Sequence, residues 1–267
     1  MNLREIITDA IKYPISDTRK FLIFCALIII MSLSVIIPSY GVNNSTLDII
    51  LSLVTLIVSF IVLGYSVEVI KSGTERDNTL PDFDYVKQFV IGIKALILDI
   101  IYFIIPAVIT IIVASASGLF SSFTEIVYTS IDAMANGTSN LTMITAAIPQ
   151  STINTFTNAL TATLIVAIIL FIIFSLMSFT GLVRFAKTGS GTEGLRFKEI
   201  LKDMSKVGFI KIIVTLIVIY IIAFALAIVI GLIGLIPYIG VFISIFVGVP
   251  FLLLFLYRAI GLLYADA

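Results

Sequence analysis

Residues 212–257 read IIVTLIVIYIIAFALAIVIGLIGLIPYIGVFISIFVGVPFLLLFLY, and no charged side chain interrupts this stretch. A helix needs about 20 mostly apolar residues to cross a bilayer, so the stretch is long enough for two crossings. Gly234, Pro237 and Gly240 lie near its middle, where they favour a tight turn over a continuous helix. The stretch therefore predicts two membrane-spanning helices joined by a short connection.

The composition of the whole chain supports the same class of structure. Hydrophobic residues make up 60% of the 267 residues and charged residues 12%, whereas a soluble domain carries about 25% charged residues. The mean hydropathy is +1.21. We therefore predict an all-α fold, a polytopic membrane helix bundle that forms a single integral membrane domain over residues 1–267. The six predicted spans are residues 21–37, 47–69, 91–113, 159–179, 209–230 and 241–263.

The basic residues determine the predicted orientation of these spans. All 16 Lys and Arg residues lie before span one, between spans two and three, between spans four and five, or within the ends of spans three, five and six that adjoin these segments or the C-terminus. Lys and Arg resist translocation, so the segments that carry them are expected on the cytoplasmic side. We predict a multi-pass protein of the plasma membrane with both termini in the cytoplasm. The longest external segment, residues 114–158, is expected to form a partly helical cap.

Three of the cytoplasmic segments place apolar residues at helical spacing beside charged residues. Residues 3–12, 83–94 and 197–207 each show the i, i+3, i+4 pattern of an amphipathic helix. Such helices are suited to the membrane surface, where the apolar face enters the headgroup boundary and basic residues meet anionic lipid. We therefore predict three amphipathic interfacial helices, with the lipid bilayer and anionic lipid headgroups as partners.

An interfacial helix, an outward span and an inward span recur three times in this order. The possible repeat units are residues 1–72, 73–188 and 189–267. Parallel repeats are common in membrane proteins, and residues 64–73 resemble residues 181–189 in the order of Gly, Lys and Gly. Six spans with basic inner loops also give this periodicity without duplication, so both explanations stay open.

Several short motifs of this chain occur together in a known family. They are KYPISD at residues 12–17, GYSVEVIK at 64–71, LPDFD at 80–84 and GIKAL at 92–96, followed by Tyr102 and Pro106. In these motifs the chain resembles the uncharacterised prokaryotic membrane protein family known as domain of unknown function 4013, and the resemblance is specific over residues 12–106. The chain carries Tyr85 where that family often carries Trp. The resemblance implies a polytopic membrane protein and transfers no activity.

Asp99 is the strongest candidate for a functional side chain. It lies inside predicted span three, where an ionised carboxylate is costly unless it is paired, protonated or in contact with water. Lys94 lies about one turn nearer the cytoplasm, Tyr102 follows at i+3 as a hydrogen-bond donor, and Glu68 closes span two at a similar depth. These four residues form the predicted polar cluster. The alternative is that Asp99 lies at the cytoplasmic rim and only hydrogen-bonds to the bundle.

The residue types that the chain lacks argue against catalysis. It has no histidine and only one cysteine, which argues against serine triads, most zinc and haem sites, and iron–sulfur clusters. We expect no catalytic residue, no cofactor, no metal site and no enzymatic activity. The net charge of +0 gives no reason to expect nucleic acid as a partner. Cys25, inside span one, is predicted to be a small apolar packing residue.

Three function classes remain, and one of them, an intramembrane enzyme, is disfavoured by the missing histidine and the lack of a catalytic pair. The predicted interfacial helices and the sparse polar core favour a non-catalytic membrane-organising or lipid-interacting protein. The prolines inside spans three and six, the possible repeats and Asp99 favour the alternative, a transporter or permease-like protein for a small solute or ion. A water-filled polar cavity near the middle of the membrane would distinguish the second class from the first.

Overall fold

The computed structural model describes residues 1–42, 44–138, 140–237 and 239–265, and these ranges contain helices and turns but no strand. The predicted all-α fold class is therefore confirmed. In chain order, the helices are α1 (Leu3–Lys12), α2 (Thr18–Ser39), α3 (Ser45–Glu75), α4 (Tyr85–Ala116), α5 (Leu119–Ala135), α6 (Leu141–Ala147), α7 (Gln150–Thr188), α8 (Phe197–Val207), α9 (Phe209–Gly234), α10 (Gly240–Ile243) and α11 (Val249–Leu263).

Six helical segments are long and apolar enough to cross a membrane: α2, α3, α4, α7, α9 and the segment Gly240–Leu263 that contains α10 and α11. Each of them contains one of the predicted spans. Only 11% to 28% of the most apolar window of each segment is buried, so side chains such as Val35, Ile210 and Phe224 are largely exposed. Exposed apolar surface of this extent is suited to lipid tails and not to water. The chain is a multi-pass membrane protein.

The chain divides into two compact units. The first unit is Met1–Asp99 with Met177–Ala267, and the second is Ile100–Leu176. In the second unit, α5, α6 and the start of α7 make residues 114–158 largely helical, and the Phe103 and Phe171 rings stack with centroids 6.1 Å apart. The single domain and the three repeat units stay predictions.

The first unit has an aromatic and aliphatic core built mainly from α2, α3 and α11. The Phe24 and Tyr65 rings stack with centroids 5.2 Å apart, and Phe83 stacks on Tyr65 at 4.4 Å. Cys25 is buried in this cluster, as expected for a packing residue. Lipid tails are as apolar as these side chains, so close van der Waals packing rather than the exclusion of water stabilises such a contact in a membrane.

Glycines allow the long helices of the first unit to approach each other closely. A Cβ atom at Gly64 of α3 would overlap the backbone carbonyl of Gln88 in α4, and one at Gly92 of α4 would overlap a carbonyl of α3. Gly73 of α3 and Gly261 of α11 meet at a similar crossing. Small residues let helix backbones come into direct contact within a bilayer. The crossing of α3 and α4 determines which polar side chains of the two helices meet.

Two of the three predicted amphipathic segments form separate helices. α1 begins with a capping box, in which Asn2 and Glu5 each accept a hydrogen bond from the other's backbone amide. Its residues Ile6 and Ala10 are buried against α9 and α11. α8 likewise buries two of its apolar side chains. Protein therefore covers part of the apolar face of each helix, and their contact with a membrane surface stays a prediction.

The remaining amphipathic segment, residues 83–94, differs from the sequence-based expectation of a distinct interfacial helix. Residues 83–84 precede α4, and the rest of the segment forms the first turns of α4, which continues without a break to Ala116. Asp84 Oδ1 accepts a hydrogen bond from the backbone amide of Lys87 at 3.1 Å, as an N-cap residue does. No proline lies between the amphipathic turns and the apolar span, so one helix contains both.

The sixth span is interrupted by a π-helical turn. α10 ends at Ile243, the turn covers Ser244–Gly248, and α11 starts at Val249. Pro250 has no amide hydrogen, so the turn before it cannot keep the regular helical hydrogen bonds. The Ser244 hydroxyl donates a 2.6 Å hydrogen bond to the carbonyl of Ile230, which ties the turn to α9. The irregularity that Pro250 predicts is therefore present, one turn before the proline.

Candidate functional site

Arg258 of α11 is a fully buried cation in the first unit, with 0% of its surface exposed. Its guanidinium lies over the Tyr13 ring, 4.3 Å from the ring centroid. A buried charge is stable only when it is paired and hydrogen-bonded, and the guanidinium meets both conditions. It donates hydrogen bonds to Asp9 Oδ1 (2.8 Å), Ser72 Oγ (3.1 Å), the Asp77 carbonyl and Asn78 Oδ1 (3.0 Å).

Tyr13 completes this arginine network. Its hydroxyl lies 2.8 Å from Ser72 Oγ and donates to the carbonyl of Thr79 at 3.0 Å. Burial raises the pKa of Tyr13 to about 12, so the phenol remains a hydrogen-bond donor at neutral pH. Hydrogen bonds from the Thr79 amide and hydroxyl hold the pKa of the Asp77 carboxyl below its usual range. Each of these side chains is engaged in hydrogen bonds within the network, and we interpret it as a structural joint between α1, α3 and α11.

A second arginine joins α7 to α8. Arg184 Nη2 lies 2.8 Å from Glu193 Oε2, and Arg184 Nη1 lies 2.7 Å from Asp203 Oδ2. At most a quarter of each of these side chains is exposed. α1 and α8 therefore share one arrangement, in which an aspartate of a short amphipathic helix pairs with an arginine of a long helix. Each pair fixes its short helix to the first unit.

Glu68 and Lys94, two members of the predicted polar cluster, line the same groove. Glu68 Oε1 lies 2.6 Å from Lys87 Nζ, and Glu68 Oε2 accepts a 2.7 Å hydrogen bond from Gln88 Nε2. Lys94 is exposed. Among the residues that the structure describes, no carboxylate oxygen lies within 4.0 Å of the Lys94 ammonium. The charge of Glu68 is thus compensated by its neighbours, whereas the charge of Lys94 is not.

The other two members of the predicted cluster are not among the residues that line this groove. Asp99 Oδ1 accepts a 2.6 Å hydrogen bond from the Ser178 hydroxyl of α7, and Asp99 does not line the groove. Tyr102 belongs to the second unit, and its side chain is fully buried. The structure therefore places Glu68 with Lys94 and joins Asp99 to Ser178, a residue that the sequence analysis did not single out.

The groove between α3, the first turns of α4 and the end of α7, which we call the lysine groove, has a volume of about 680 Å³. Lys71 is half exposed and pairs loosely with Glu75, at 3.7 Å, while Lys187 Nζ donates to the Tyr264 carbonyl at 3.0 Å. The apolar lining consists of Val67, Val86, Val90, Ile91, Phe185 and Ala186. The charged lining consists of Glu68, Lys71, Asp84, Lys87, Lys94 and Lys187.

The chemistry of the lysine groove is that of an anion site with apolar walls. Amines bind phosphate or carboxylate through charge and hydrogen bonds. In the described ranges, no three His, Cys, Asp or Glu side chains come together in a way that could hold a metal ion. The pairing of Arg258 with Asp9 was not predicted from the sequence, although a single cation at the end of a long uncharged stretch indicates that a partner must exist.

Comparison with known proteins gives a family match. The family model described as Protein of unknown function (DUF4013) matches residues 47–236, a range that contains the motifs at 64–71, 80–84 and 92–96. No curated protein and no solved structure matches the chain. The matched range covers well over half of the 267 residues. The chain therefore belongs to the DUF4013 family, whose function is unknown.

Proposed function

We propose that this protein is a non-catalytic, membrane-organising or lipid-interacting protein of the plasma membrane, with its lysine-rich end in the cytoplasm. This proposal rests on the face of α8 that points away from the rest of the protein. Lys198, Lys202 and Lys206 recur every four residues, so they lie on one side of the helix, and all three are exposed. Leu201 beside them is 46% exposed. A row of amines next to an exposed apolar residue is suited to the headgroup region of a bilayer.

The attachment of α8 to the first unit supports this proposal. Ile200 and Met204 are buried and Asp203 is held by Arg184, so the lysine row lies on the side of α8 that protein does not cover. Two of the lysines also approach acidic residues of their own helix, at 3.4 and 3.9 Å. Exposed pairs of this kind contribute about 0–1 kcal/mol and do not prevent contact with lipid.

The test measures the lipid selectivity of the whole protein. Wild type and a triple variant with glutamine at Lys198, Lys202 and Lys206 are reconstituted in vesicles that contain spin-labelled phosphatidylglycerol or phosphatidylcholine. Each lysine near an anionic surface contributes about 1 kcal/mol, so the triple variant is expected to lose most of the preference for phosphatidylglycerol.

The matched control carries glutamine at Arg4, Lys12 and Arg19, three exposed basic residues outside α8. It is expected to keep most of the selectivity of wild type. An equal loss in both triple variants would show that the lysine row of α8 has no special role, because other exposed basic residues would then contribute as much. A wild-type protein without any preference for phosphatidylglycerol would refute the lipid-interacting function itself.

The transporter alternative is favoured by one observation. Asp99 and Ser178 form a hydrogen bond between two long apolar helices, and polar pairs at such positions can line a solute pathway. A pathway also needs a cavity at the pair. Neither the lysine groove nor the cavity of about 460 Å³ beside it is lined by Asp99. We therefore rank transport second.

A further inference from the structure

We propose that the lysine groove binds the phosphate headgroup of one anionic phospholipid, with Lys94 as its main contact. This inference rests on the lipid-interacting function proposed above. It adds a defined site on a surface separate from the α8 lysine row, and it names the ligand class as a phospholipid with a net negative headgroup.

The charges of the groove favour an external anion. Four lysines and two acidic residues line it. Of the two acids, Glu68 is bound by Lys87 and Gln88, and Asp84 accepts the hydrogen bond that caps α4. Lys94 has no ion-pair partner in the described part of the chain, and it lines both the groove and the adjoining cavity. An amine in this position is available to a phosphate group.

The size and layering of the groove fit a headgroup. Its volume of about 680 Å³ lies within the range of about 300–1,000 Å³ that is usual for small-ligand sites. Val67 and Phe185 are almost completely buried, whereas Lys71 and Lys94 are exposed. Val67 and Phe185 therefore lie at the floor of the groove, and these two amines lie toward its opening. A phospholipid presents a charged phosphate and an apolar ester region in close proximity, which matches this division.

The apolar surface next to the groove favours lipid over a soluble anion. Val86 and Val90 line the groove and are 77% and 44% exposed. Ile97 follows seven residues after Val90 and is also exposed, so the three residues lie on one side of α4. Of the three, Ile97 lies on the side of Lys94 that leads into the apolar span of α4, so acyl chains of a lipid whose phosphate contacts Lys94 can lie along Ile97, with Val86 and Val90 beside the headgroup. A free phosphate ion would leave the same apolar surface uncovered.

The test counts bound lipid on the full-length protein. Purified protein in a nonionic detergent is titrated with phosphatidylglycerol, and retained lipid is measured by native mass spectrometry. Wild type is expected to retain one phosphatidylglycerol molecule in preference to phosphatidylcholine. Lys94→Gln should raise the half-saturating concentration about fivefold, and Lys94→Arg should stay close to wild type. Lys94 is exposed, so the melting temperature without added lipid should not change in either variant.

Lys211→Gln is the matched control, because it removes the same charge from an exposed helix surface outside both the groove and the α8 lysine row. It should leave the half-saturating concentration of the single lipid unchanged. Equal binding by wild type and Lys94→Gln would overturn the site while leaving the α8-dependent lipid selectivity untouched. If binding of the single lipid depends on Lys94 but the lipid selectivity of the protein does not depend on the α8 lysines, the groove site is supported. The same result counts against the α8 lysine row as the basis of the proposed function.

Competitors identify the occupant of the groove. Equal retention of phosphatidylcholine would assign the groove to apolar contacts alone and overturn the proposal. Displacement of phosphatidylglycerol by inorganic phosphate at equal concentration would assign it to a soluble anion, and displacement by oligoglutamate would assign it to an acidic peptide. Each of these two results would also overturn the proposal. Resistance to both competitors is the expected result.

Discussion

Arg258→Leu tests whether the buried arginine network holds α1 on the first unit. Removing one member of a buried ion pair costs about 3–5 kcal/mol, because the other member is left without compensation. Two features of the network reduce this loss. The Asp9 side chain is 27% exposed, so water can solvate part of its charge, and the Ser72 hydroxyl still donates to the Asp77 carbonyl at 2.9 Å. We therefore expect a loss near the lower limit, about 3 kcal/mol.

Two measurements follow this loss. Unfolding of the purified protein in mixed micelles with increasing sodium dodecyl sulfate, monitored by circular dichroism, gives the change in the free energy of unfolding. Hydrogen exchange locates the change, which is expected in α1 and in the segment after α3, while the core around Phe24 and Tyr65 stays protected. Arg258→Lys keeps the charge but not the planar fork of donors, and we expect an intermediate loss.

The control for this experiment is Arg19→Leu, which removes an exposed arginine. A surface change of this kind is expected to alter the free energy of unfolding by no more than about 0.5 kcal/mol. The reasoning is refuted if Arg258→Leu unfolds like this control and the amides of α1 exchange as they do in wild type.

Two further predictions concern the second candidate function and the orientation. Asp99→Asn should lower the free energy of unfolding by only about 0.6 kcal/mol, the average of interhelical hydrogen bonds in membranes, and Asp99→Leu should lower it more. Loss of a solute flux in a stably folded Asp99→Asn protein would favour transport instead. In a Cys25→Ser background, Asn136→Cys should react with an impermeant maleimide in intact cells, since the basic segments are expected inside, and labelling only after lysis would reverse the orientation.

Hydropathy predicts the number and order of the spans but not the ends of the helices. α3 extends to Glu75 and α7 covers Gln150–Thr188, well beyond the predicted spans 47–69 and 159–179. An apolar run reports only the part of a helix that lies in apolar surroundings. The helix itself continues through polar residues until a local signal stops it, such as Arg76, whose φ of 58° is left-handed.

For the side chains of the candidate site, the sequence predicts the approximate depth in the membrane but not the direction in which each side chain points. Position along a span gives the approximate depth of Glu68, Lys94 and Asp99, and their similar depth is the reason that they were predicted to form one cluster. The direction of each side chain depends on how the helices cross, and the close crossing at Gly64 brings Glu68 to Lys87 instead. Asp99 meets Ser178, 79 residues later in the chain. No periodicity within one helix contains that information.

The contact between Asp9 and Arg258 joins residues that are 249 positions apart, and this has a consequence for the biogenesis of the protein. α1 leaves the ribosome well before α11, and the cation that holds α1 is inserted only with the sixth span. Until then, Asp9 and Asn78 have to remain hydrated, because a buried polar group without a partner is costly. Closing so long a loop is slow compared with local helix formation. Before α11 is inserted, α1 therefore lacks the contact that holds it in the folded protein, and we expect α1 to be accessible to proteases in such an insertion intermediate.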